Sequence, residues 1–78
     1  MTTEWIPRFV FARPFEPFSV LLCDGREVQV HRPDHVAVGE HLLTLCVFHP
    51  SAQVEVIDTG LIVSIRTLRR ATFSTFFR

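Results

Sequence analysis

The chain is expected to fold as a mostly β domain: a short N-terminal helix, then a five-stranded small barrel or strongly bent antiparallel sheet. Three observations lead there. Apolar residues alternate on both sides of Asp24-Gly25, three further short apolar runs follow with turn residues between them, and 78 residues leave room for one core. Residues 1–66 read as one small β domain with an N-terminal helix or arm, and residues 67–78 as a basic, aromatic tail.

Thr2 and Thr3 stand before Glu4-Trp5-Ile6-Pro7, a helix-start pattern of threonine cap, acid and early proline. Trp5, Ile6, Phe9 and Val10 recur at helical spacing. The segment has to stop before Pro14, because the residue preceding a proline avoids the helical region. A short amphipathic helix near 4–12 is expected, with an extended arm as the alternative. Pro14-Phe15-Glu16-Pro17-Phe18 then makes a rigid approach to the first strand, since a proline has no donor for a central ladder. Phe15 and Phe18 are expected to anchor that corner in the core.

Phe18, Val20 and Leu22 alternate before Asp24-Gly25, and Val28 and Val30 alternate after it. A two-residue loop sets Leu22 opposite Glu27 and Val20 opposite Gln29, mixing apolar and polar residues on each face. A three-residue loop, Cys23-Asp24-Gly25, sets Val20 opposite Val28 and Phe18 opposite Val30. A slip of one residue turns every side chain to the other face, so the second register is expected. Gly25 then takes the left-handed position, where glycine alone is free of steric cost.

His31-Arg32-Pro33-Asp34-His35 breaks the second strand, and Val36 and Val38 form either a short β segment or one helical turn. His41 to Phe48 reads as the third strand, Val54 to Ile57 as the fourth, and Leu61 to Arg66 as the fifth. His49-Pro50-Ser51 and Asp58-Thr59-Gly60 are the turns between them. Closing such short strands into a barrel removes the sheet edges that otherwise invite mispairing.

Composition points outward from the fold. Hydrophobic residues make up 47% of the chain and eight are Phe, more apolar material than so small a body can cover, so a homo-oligomer is expected. Residues 1–65 hold four Arg against all eight acids, for −4, while residues 66–78 hold Arg66, Arg69, Arg70 and Arg78 without an acid, for +4. Phe73, Phe76 and Phe77 in that tail would share one face of a helix. These seven residues are the candidate contacts for nucleic acid or a protein partner. Asp24 and Gly25 are assigned a structural role in the turn.

No apolar run approaches the roughly 18–20 residues that span a bilayer, so no membrane association is expected. Cys23 and Cys46 form no spaced framework, and reduced thiols in a cytoplasmic protein are the expectation. His31, His35, His41 and His49 lack the paired spacing of structural zinc sites and read as polar residues at turns and strand rims. Cys23, His31 and Asp34 are near in sequence, but Cys23 falls in a hairpin loop and not at a pocket floor. Cys46 lies within an apolar run, as an inert small hydrophobe does. With no phosphate loop or paired-carboxylate motif, no catalysis, no cofactor and no small-molecule substrate are expected.

Pro14-Phe15-Glu16-Pro17-Phe18, Asp24-Gly25-Arg26 and Arg32-Pro33-Asp34-His35-Val36-Ala37 resemble a small, functionally uncharacterised bacterial family. Its members share a Pro-Phe-x-Pro-Phe segment, an Asp-Gly-Arg turn and a His-Pro-acid segment. Val56-Ile57-Asp58 with Leu61-Ile62-Val63 is similar to a late Ile-Asp-Leu-Leu strand start in the same family, so the likeness spans residues 12–66. It implies no activity.

The order of elements also resembles an Sm-like fold of the SH3 type. Val20 to Val30 fits the start of its first motif, Asp34 stands for the acid, and Gly60-Leu61-Ile62 is similar to the core of the second. The chain has no Asn to follow that acid, and Thr59 stands where a base-binding Arg or Lys often precedes the Gly. The resemblance therefore implies a barrel whose subunits pair edge strands into rings, without carrying over the RNA pocket. A non-catalytic, self-assembling scaffold or interaction module is the first expectation. A nucleic-acid-binding protein using the Arg tail or ring surface is the second.

Overall fold

The computed structural model describes residues 4–68. One helix, α1 (Trp5–Val10), precedes six strands: β1 (Phe18–Leu22), β2 (Glu27–Val30), β3 (Val36–Val38), β4 (Thr44–Phe48), β5 (Val54–Asp58) and β6 (Ile62–Thr67). They form two antiparallel three-stranded sheets, ordered β2-β1-β6 and β3-β4-β5.

Six strands replace the expected five, and the ladders do not join into one closed sheet. The cause lies at residues 31–35. Pro33 has no amide donor and opens a single 3-10 turn, Pro33–His35, so the ladder of β2 stops at Val30. Extended backbone resumes at Val36, and the same run of chain continues as β3 against β4 in the other sheet.

The helix lies inside the expected span 4–12. Its threonine cap, Thr2 or Thr3, lies outside the described residues, and the residue before the helix, Glu4, makes no side-chain capping bond. Ile6 and Val10 are the buried face. They meet Phe18, Val20, Leu22, Val28, Val30 and Ile62 from the first sheet and Val36, Leu45, Val47 and Ile57 from the second in one core. Phe9 and Phe15 pack edgewise or tilted on Phe18, with ring centroids 5.6 and 5.8 Å away, so the Pro-Phe corner is anchored as expected.

The first hairpin has the expected register. Phe18 faces Val30 and Val20 faces Val28, all four buried. Leu22 and Arg26 close the ladder across the three-residue loop, and the Gly25 amide donates to the Leu22 carbonyl at 2.9 Å. Gly25 has φ +92°, inside the left-handed region.

The third predicted strand begins late. His41 and Leu42 both have φ 58°, in a 3-10 turn over Glu40–Leu42, and the ladder starts at Thr44. Left-handed residues without glycine need outside support. Buried Thr59 supplies it, donating Oγ1 to the Leu42 carbonyl at 2.8 Å and its amide to the Leu43 carbonyl at 3.1 Å.

Candidate assembly surface

The two sheets differ on the sides they turn away from the core. On the first, Ser19, Leu21, Glu27, Gln29, Ser64 and Arg66 alternate with the buried residues, and Val63, at the register shift of β6, is 53% exposed. Arg66 Nη2 lies 3.1 Å from Glu27 Oε2, and Ser19, only 2% exposed beneath them, donates to Glu27 Oε1 at 3.2 Å. That is a mostly polar outer face, as in an antiparallel sheet with one side in water.

The second sheet departs from that rule. Leu45, Val47 and Ile57 point into the core, so alternation sends Cys46, Phe48, Val54 and Val56 outward. The register makes these neighbours: Cys46 pairs with Val56, Phe48 with Val54, and Ala37 of β3 lies on the other side of Cys46. Phe48, Val54 and Val56 are 38, 57 and 64% exposed, and no charged side chain interrupts the row until Asp58. Contiguous exposed apolar surface of this kind marks contact with another molecule.

The apolar row continues into a groove of about 240 Å³ between β5 and the turn of the first hairpin. Leu22, Val56, Ile57 and Leu61 form its apolar wall, with Cys23 and the charged Asp24, Arg26 and Asp58 beside them. The Cys23 amide donates to the Leu61 carbonyl at 2.9 Å, which holds the hairpin turn against the start of β6. Asp58 accepts the Gly60 amide at 2.8 Å and has no cationic partner among the described residues.

A charged network stands at the rim between the sheets. Arg26 Nη1 lies 2.7 Å from Glu55 Oε2, and His49 Nε2 lies 3.0 Å from Glu55 Oε1. Hydrogen bonds from His49 and then Arg26 hold the Glu55 carboxyl below its ordinary range, against the opposing effect of burial. The same carboxylate raises the Arg26 guanidinium.

The structure scatters the residues singled out from sequence. Arg66 is engaged by Glu27 on the polar face, at the end of β1 remote from Asp24 and Gly25. Arg69, Arg70, Arg78, Phe73, Phe76 and Phe77 lie outside the described residues. Asp24 Oδ1 accepts the Arg26 amide at 2.9 Å, in keeping with its turn role. His31 contacts Gln29 at 3.1 Å, and among the described residues no group of three His, Cys, Asp or Glu is arranged to hold a metal. Cys23 and Cys46 are free thiols, and Cys46 sits half-buried on the outer face of its sheet instead of in the core. No helix among the described residues is long and apolar enough to cross a membrane.

Sequence reasoning missed Phe48, Val54 and Val56 as a surface. The available signal was the pair Val54 and Val56 flanking Glu55, which sets two valines on the face opposite a carboxylate. Comparison with protein-family models, curated proteins and solved structures finds no match to this chain.

Proposed function

We propose that this protein is a non-catalytic, self-assembling module of the small-barrel type, acting as a scaffold or interaction unit. The observation that carries the reading is the uncharged outer face of Cys46, Phe48, Val54 and Val56, on a domain whose other sheet carries the Arg66–Glu27 ion pair and other polar side chains on its exterior. A second copy of the chain is the partner this surface suits best, because the apolar surplus of each copy then covers that of the next. The two three-stranded sheets share one core, and β5 and β6 each lie at a sheet edge, where an edge strand of another subunit could pair.

Nucleic-acid binding through Arg66, Arg69, Arg70 and Arg78 has less support. Arg66 is held by Glu27, and Thr59 turns its hydroxyl into the fold toward Leu42. Mass measured by light scattering on the full chain tests the first reading. Oligomers at micromolar concentration support it, and a monomer at every concentration rejects it.

A further inference from the structure

We propose that the groove between β5 and the first hairpin turn receives a phenylalanine from residues 69–78 of a neighbouring copy, with an arginine of that segment set against Asp58. The inference rests on the self-assembly reading and adds the occupant of one site.

The groove and the segment match in chemistry. The wall of Leu22, Val56, Ile57 and Leu61 suits an aromatic ring, and its rim carries Asp24, Arg26 and Asp58; Arg26 is paired with Asp24 and Glu55, while Asp58 is in no ion pair among the described residues. Residues 69–78 bring Phe73, Phe76 and Phe77 together with Arg69, Arg70 and Arg78, and no acid. A ring in the groove and a guanidinium on Asp58 satisfy both features at once.

The direction of the chain selects the neighbour's groove. Thr67 pairs with Phe18, and the Leu68 amide donates to the Pro17 carbonyl at 2.8 Å, so the chain leaves the body at the beginning of β1. The groove lies past the other end of that strand, at Leu22 and Cys23, roughly 17 Å away at the ordinary rise of a strand. Because β6 runs antiparallel to β1, it carries the chain away from its own groove. Reaching that groove requires a reversal and a return along the whole strand, a constraint that a groove on another subunit does not impose.

Cys23 stands in the groove, so its alkylation by iodoacetamide, read by mass spectrometry of the digested full chain so that Cys46 is scored separately, reports occupancy. The combined variant Phe73→Ser, Phe76→Ser, Phe77→Ser is expected to raise the rate at least about tenfold, one decade in the docking equilibrium. Asp58→Asn is expected to raise it by a smaller factor, and supplies the comparison on its own if the triple variant loses its β circular dichroism. Mixing the triple variant with a chain that keeps its tail but carries Cys23→Ser is expected to slow alkylation again, which shows occupation between subunits. Equal rates in all variants overturn the inference, and if the chain is still oligomeric the assembly reading stands without it. Shielding that is tail-dependent but absent from the mixture, or present in a monomer, assigns the groove to the chain's own tail and overturns the neighbour as its source.

Discussion

Arg26 Nη1 lies 2.7 Å from Glu55 Oε2, and through this contact the turn of the first hairpin is tied to the middle of β5 in the other sheet. His49 holds the second carboxylate oxygen from the turn that precedes β5. Among the described residues no ladder joins the two sheets, and Glu55 is a polar link between them.

Glu55→Gln should lower stability at neutral pH by about 1 kcal/mol, the scale of a partly screened ion pair. The folded carboxyl titrates below its unfolded value, so its contribution is complete above the usual carboxylate range. It is lost as pH falls through the folded value. Urea unfolding should therefore show wild type and variant well apart at pH 7 and converging in acid. A constant gap across that range contradicts the assignment.

Gly25→Ala should destabilise the fold by about 1–2 kcal/mol, the cost of placing a Cβ in the left-handed region. Open space surrounds the position, so the cost is conformational and not a clash. Gly25→Asn should cost less, because Asn tolerates that conformation. Thermal unfolding of the three proteins checks the order.

Thr59→Val should cost about 1–3 kcal/mol, since it leaves the Leu42 carbonyl without its side-chain donor in a part-buried site. The loss should concentrate in the loop that carries left-handed His41 and Leu42. Hydrogen exchange should then accelerate at Leu42 and Leu43 more than in the first hairpin. Uniform acceleration points instead to global destabilisation.

These positions show how much of the molecule was legible beforehand. The first hairpin was readable down to its register, because only one pairing of Phe18, Val20, Val28 and Val30 keeps the apolar set on one face. The late start of β4 was not, because His41-Leu42-Leu43 reads as part of an apolar run and nothing in those side chains announces left-handed backbone. The orientation of β5 was ambiguous for a related reason. Val54 and Val56 on one side and Ile57 on the other are all apolar, and the choice is made by the core, where Ile57 lies opposite Leu45. The candidate contacts in the tail were drawn from composition, which carries charge and aromaticity but no placement. The outer valines emerged only when the ladder set them beside Cys46 and Phe48.

Val54→Ser with Val56→Ser should leave the fold intact, as exposed positions usually change stability by no more than about 0.5 kcal/mol. The same pair should weaken the assembly strongly. Native mass spectrometry of the full chain and this double variant, side by side at equal micromolar concentration, decides whether the outer valines hold the assembly together. Oligomers are expected for the wild type and a shift to monomer for the variant, with unchanged circular dichroism. A monomeric wild type, or identical oligomers in both, would contradict this.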